Sequence, residues 1–211
     1  MRIVLEMKMP VIVRLGSFHF LKSILGCVGY IMKDCGLENI VQKIYPGNVD
    51  HIMSGGSYYK ALRAQFLVDA ALCSYLLENY FDKGELEEME EFIKKCKQEM
   101  LGAQYTNRVI QKFDKKISKK LKEVADSGRT PFLWVTYHNL VTKIKTFIRA
   151  ERLHNWDLHL ATVTDMLPFF TAAGHGQYAK GGRLYLEMMD RHAHLIKRLM
   201  DKFKSHGLHA V

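Results

Sequence analysis

Pro10-Val11-Ile12-Val13-Arg14-Leu15, closed by Gly16, is the stretch on which the fold turns. Val11-Ile12-Val13 is a β-branched run between a proline and a glycine, the outline of a short buried strand. Almost everything after it reads as helix. A lone strand cannot satisfy its own backbone donors and acceptors, and even a two-stranded hairpin is only marginally stable in water. The expectation is therefore a mainly α chain, a multi-helix bundle with a single short N-terminal β-strand. That strand either pairs with a sheet from elsewhere or belongs to the C-terminal part of a larger α/β fold.

Working outward, apolar spacing places helices at 18–34, 36–45, 57–82, 84–100, 104–126, 131–152, 155–173 and 177–205. Chemical punctuation supports several ends. Ser57 and Asn155 stand where a side-chain oxygen can cap a helix start. Thr130-Pro131 opens a helix with a hydroxyl and a first-turn proline, and Gly128, Gly174 and Gly207 close helices. Pro168 falls inside a helical pattern and predicts a kink. The helix over 57–82 is apolar nearly all round at Phe66, Leu67, Val68, Ala70, Ala71, Leu72, Leu76 and Leu77, which predicts a central position in the bundle. Leu133, Tyr137, Leu140, Ile144 and Phe147 form a second core stripe at steps of three and four. No repeat or linker divides the chain. It reads as one helical domain over 1–211: a helix tail and strand in 1–16, first-half helices in 17–100, a basic helix in 101–127 and a C-terminal helical module in 130–206.

With 211 residues, 48% hydrophobic and 25% charged, the chain has ordinary globular composition and is long enough to bury a core. Its 4 cysteines form no C-x-x-C pair, which points to a reduced intracellular compartment, nuclear or cytoplasmic. Glu6 and Lys8 interrupt the first residues too early for a signal-peptide core, and no apolar stretch is long enough to predict a membrane span.

The net charge of +9 biases the chain toward acidic partners such as DNA or RNA. Charge is unevenly spread. The helix from Glu85 pairs Glu90 with Lys94 and Glu91 with Lys95 at a spacing of four, acids first, and reads as a solvated, self-compensating helix. The next helix carries Arg108, Lys112, Lys115, Lys116, Lys119, Lys120 and Lys122, with Asp114 the one acid among them. Ile110, Phe113, Ile117, Leu121 and Val124 share its opposite face. Such a stripe suits a phosphate backbone, whereas the absence of interleaved aromatics argues against base stacking.

Catalytic and metal motifs are not evident. His154 and His159 are five apart and His192 and His194 two apart, spacings that put neither pair on one helical face. Asp190 and His194 can meet, but two ligands make no site. They read as surface or capping histidines. No Walker loop, nucleophile elbow or catalytic cysteine signature is present, so the expectation is no cofactor, no metal and no catalytic residue.

Several motifs in order resemble a family of animal proteins known only as a domain of unknown function and transposon-derived in character. They are Val13-Arg14-Leu15-Gly16-Ser17-Phe18-His19-Phe20-Leu21, Leu25-Gly26-Cys27-Val28-Gly29-Tyr30, Met53-Ser54-Gly55-Gly56-Ser57-Tyr58, Phe147-Ile148-Arg149-Ala150-Glu151-Arg152, Trp156-Asp157-Leu158-His159-Leu160 and Met166-Leu167-Pro168-Phe169-Phe170. The resemblance spans nearly the whole chain and is weakest in the lysine-rich middle. It implies the C-terminal part of a ribonuclease-H-like transposase, whose core uses sheet-borne carboxylates to hold two divalent metals. The family's strand aspartate would lie upstream of Val13, and Glu6 does not stand on the required strand. Arg14 and His19 would then follow the strand, His19 packed beneath the bundle at a helix start.

The expected function is thus a non-catalytic, truncated relative that retains sequence-independent nucleic-acid binding through the basic helix. The alternatives are an interaction module pairing through Val11-Ile12-Val13 with a partner sheet or a second copy, and a residual metal-dependent nuclease using acids such as Asp165 or Glu187.

Overall fold

The computed structural model of the chain describes residues 16–99 and 107–205. Nine helices run through them: α1 Ser17–Ile31, α2 Leu37–Ile44, α3 Val49–Met53, α4 Tyr58–Tyr80, α5 Lys83–Glu99, α6 Asn107–Asp126, α7 Arg129–Arg152, α8 Trp156–Ala172 and α9 Gly176–Ser205. The mainly helical expectation holds, and helix ends fall within a few residues of their sequence signals. The strand expected at 10–15 lies outside the described residues. Among the described residues there is no strand, so the ribonuclease-H-like resemblance finds no sheet there. The five-residue α3 was missed, being shorter than the window in which helical periodicity can be seen.

Two compact units make up the chain: one from 1–31, 50–58 and 143–211, the other from 32–49 and 59–142. In the first, α8 packs against both α1 and α9. Its core joins Phe20, Ile24, Leu25 and Val28 of α1 to Ile144 and Phe147 of α7 and to Val163, Met166 and Phe170 of α8. Phe20 stacks on Phe147 at 5.1 Å and meets Phe170 edge-on at 4.9 Å, geometries that aromatic quadrupoles favour. Asn155 caps α8 by accepting from the Leu158 amide at 3.0 Å, as expected of that residue. Gly174, just beyond the end of α8, takes a left-handed φ of 74°.

In the second unit, Leu76 of α4, Val124 of α6 and Val135 of α7 form a buried cluster, with Leu72, Tyr80, Leu121 and Ala125 packed against it. The α7 stripe is buried as expected at Tyr137 and Leu140. The central position expected for α4 needs correction: Leu67 is 46% exposed and Tyr75 56%, and Ala70 and Ala71 are exposed too. The helix buries one face, made of Ala61, Ala64, Gln65, Val68, Asp69 and Leu76. Two of those six residues are polar, and they lead to the site.

Candidate functional site

Gln65 and Asp69 stand one turn apart on the buried face of α4, and both are fully inaccessible. Burying an amide and a carboxylate costs heavily unless each finds a partner. Both partners come from consecutive residues of α7. The Tyr137 hydroxyl donates to Gln65 Oε1 at 2.8 Å and lies 3.1 Å from the Gln65 backbone oxygen. His138 Nδ1 meets Asp69 Oδ1 at 2.8 Å. The Gln65 amide nitrogen Nε2 is buried and has no partner among the described residues.

The hydrogen bond to Asp69, reinforced by Cys73 and opposed by burial, pushes His138 up to about 9. At neutral pH the ring is therefore an imidazolium, and Nδ1 is the donor. It neutralises the buried carboxylate. Burial, with the Asp69 charge acting the same way, pushes the Tyr137 hydroxyl well above its usual value, so it stays a neutral donor.

Cys73, one turn beyond Asp69 on α4, brings Sγ to 3.6 Å from the same His138 Nδ1. The carboxylate oxygen, the sulfur and the ring nitrogen all lie within 4.8 Å of one another. Asp69 is buried, and His138 keeps 19% of its side chain accessible. Along the same two helices runs an apolar cavity of about 430 Å³, lined by residues including Val68, Leu72, Tyr75, Tyr80, Trp134 and Val135.

A second polar chain lies in the other unit. Ser17 Oγ donates to Glu151 Oε2 at 2.5 Å, Glu151 Oε1 lies 2.7 Å from His159 Nδ1, and His159 Nε2 lies 3.2 Å from the Tyr185 hydroxyl. Trp156 stacks on the imidazole at 5.2 Å. His159 is thus a core histidine, 4% exposed, rather than the surface or capping residue expected from its spacing to His154. At that burial the imidazole is closed to a substrate, and the chain of contacts reads as structural. Ser23 and His175 form a further pair at 2.6 Å. His19 is exposed against Phe18 rather than packed beneath the bundle.

The basic helix α6 divides into two rows. Lys116 and Lys120 face α5: Lys116 Nζ lies 2.8 Å from Glu88 and 3.8 Å from Glu85, and Lys120 lies 3.7 Å from Glu85 and over the Phe81 ring. The Glu88 hydrogen bond holds the Lys116 ammonium above its ordinary value. Lys115, Lys119 and Lys122 are exposed, Lys119 with a 4.0 Å contact to Glu123. Arg108 and Lys112 belong to the same helix, with side chains outside the described set. The expected pairs of α5 are present, Lys94 with Glu90 at 3.7 Å and Lys95 with Glu91 at 4.0 Å. Of the acids weighed for a nuclease, Asp165 is bound by Lys143 at 2.6 Å and Glu187 is exposed.

A family model described as Domain of unknown function (DUF8702) matches residues 5–211. The chain belongs to that family. No curated protein and no solved structure matches it. Among the described residues, no helix is long and apolar enough to cross a membrane.

Sequence reasoning gathered the lysines and missed the Asp69–Cys73–His138 cluster. Its local trace in this family member is faint: an aspartate and a cysteine four apart on a helix that otherwise reads as apolar. The third member lies 69 positions beyond Asp69, and only the packing of α7 on α4 brings it there.

Proposed function

We propose that the protein is a non-catalytic helical module that binds nucleic acid without sequence preference through the outward row of α6. The observation that carries this reading is the division of the lysines. Glu85 and Glu88 engage Lys116 and Lys120, while Lys115, Lys119 and Lys122 face solvent on the other side. An exposed contact at 4.0 Å, such as that of Lys119 with Glu123, is worth little in water and gives way readily to a phosphate. Lys115 to Lys122 covers about 10 Å of helix axis at 1.5 Å per residue. In the sequence, Arg108 and Lys112 precede Lys115 at steps of four and three. The overall +9 charge assists the encounter. A ribonuclease-H-like, transposon-derived ancestry, suggested by the motif resemblance, would supply a reason for such a surface to exist.

The test compares the two rows. Binding to a single-stranded oligonucleotide should weaken with salt at a log–log slope of roughly −2 to −3.5 for three to five neutralised phosphates. Lys115→Glu with Lys122→Glu should abolish it, whereas Lys116→Gln with Lys120→Gln should leave most of it. Equal loss from both pairs, or no salt dependence, refutes the reading. Binding to anionic vesicles in place of the oligonucleotide assigns the row to a membrane surface instead.

A further inference from the structure

We infer that Asp69, Cys73 and His138 form a binding site for a divalent metal ion of the zinc type. The argument begins with which ring nitrogen is used. In a nucleophile–base–orienter arrangement, the thiol and the carboxylate sit on opposite nitrogens of the imidazole, so that a proton arriving on one side is compensated on the other. Here Cys73 Sγ and Asp69 Oδ1 both approach Nδ1, at 3.6 and 2.8 Å. The bond to Asp69, the shorter of the two, takes the larger share of the Nδ1 proton. The convergence of sulfur on the same atom is what a single cation among three donors requires.

The dimensions agree. Zinc bonds of about 2.0–2.1 Å to nitrogen and oxygen and about 2.3 Å to sulfur, at tetrahedral angles, put nitrogen and sulfur about 3.6 Å apart and nitrogen and oxygen about 3.3 Å apart. The sulfur already stands at the first distance, and the carboxylate needs to retreat by about half an ångström. All three donor atoms lie within 4.8 Å of one another.

The donor chemistry sets the class of ion. One thiolate, one imidazole and one carboxylate suit a borderline-soft ion, whereas magnesium and calcium want a shell of oxygens. Charge also favours it: a divalent ion with a thiolate and a carboxylate sums to zero, which suits a site whose carboxylate is fully buried. On binding, the protons of Cys73 Sγ and His138 Nδ1 pass to solvent. Three protein ligands leave a fourth position for water. Asp69 and Cys73, four apart on α4, present their donors from one face of a continuous helix, and His138 closes the site from α7. The site shares nothing with the α6 lysines, so it stands or falls separately from nucleic-acid binding.

The experiment uses the full chain stripped with a chelator and dialysed, titrated with Zn²⁺ against a chromophoric competitor, and with Co²⁺ as a spectroscopic probe. One Zn²⁺ per chain is expected, at least 100-fold weaker in Cys73→Ser and in His138→Gln, with no competition from Mg²⁺ or Ca²⁺. The Co²⁺ form should show a thiolate-to-cobalt charge-transfer band. The band should survive replacement of Cys35 and Cys96 together by serine and vanish in Cys73→Ser, with helical circular dichroism retained. Absence of stoichiometric binding, binding unchanged in both ligand variants, or a cobalt complex with no thiolate band each overturns the site. Should Cys73→Ser fail to fold, the band in the Cys35/Cys96 double variant decides alone, since Cys27 is fully buried.

Discussion

A Cβ added to Gly29 would overlap the Met53 carbonyl group, so the α1 backbone and the end of α3 are in direct contact at this position. Gly26, one turn earlier, would carry a Cβ 3.0 Å from the Ser54 oxygen. These two glycines let the segment 53–55 lie flat on α1, a closeness no side chain allows. Gly29→Ala should therefore destabilise the protein although alanine favours a helix by about 1 kcal/mol. Over-packing against backbone costs roughly 1–3 kcal/mol or more, a fall in Tm of at least several degrees for a chain of this size. Gly176→Ala, where a Cβ meets nothing within 4 Å, should leave Tm unchanged or slightly raised. Thermal denaturation of the two variants makes the comparison.

Tyr137 and Gln65 should be energetically coupled. Tyr137→Phe leaves Gln65 Oε1 buried without its donor, at a cost of about 1–3 kcal/mol. Gln65→Met removes the amide, including the Nε2 that has no partner among the described residues. The double variant should then be more stable than the sum of the two single losses predicts, by on the order of 1 kcal/mol in urea unfolding.

The buried carboxylate makes His138 costly to remove. His138→Ala takes the imidazolium away from the Asp69 carboxylate in a fully inaccessible position, and about 3–5 kcal/mol of stability should go with it. Adding Asp69→Leu to that background should restore most of the loss. Equilibrium unfolding of the metal-free single and double variants checks this. A double variant no more stable than His138→Ala would refute the pairing argument.

Cys27 supplies a pH dependence. Burial, partly offset by a backbone hydrogen bond, pushes its thiol up from 9.0 to about 12. Between those values the unfolded chain has shed a proton that the folded chain still holds, so stability falls as pH rises through the window. The slope contributed by this group should be about 1.4 kcal/mol per pH unit. It should be missing from Cys27→Ala when the two proteins are unfolded in parallel between pH 9 and pH 11. Alkylation in the native state should likewise reach the partly accessible Cys35 and Cys73 before Cys27.

Much of the helical plan was legible in the residues. Leu140, Ile144 and Phe147 recur at the helical period and are buried, and Asn155 announces the start of α8 through the hydrogen bond it makes. The pairs within α5 were legible for the same reason: residues four apart on a helix are neighbours whatever surrounds them. The face of α4 was not. Leu67 and Val68 are equally apolar as letters, yet one is 46% exposed and the other 3%.

The sequence by itself determined what depends on neighbours along the chain: where helices begin and end, which α7 stripe is apolar, and how α5 balances its own charge. Tertiary structure alone decided which lysines of α6 meet Glu85 and Glu88, and that His138 closes on Asp69 and Cys73. The physical reason is range. Helical periodicity and capping act over a few residues, whereas a carboxylate and an imidazole 69 positions apart become partners only when the burial of two helix faces forces them together.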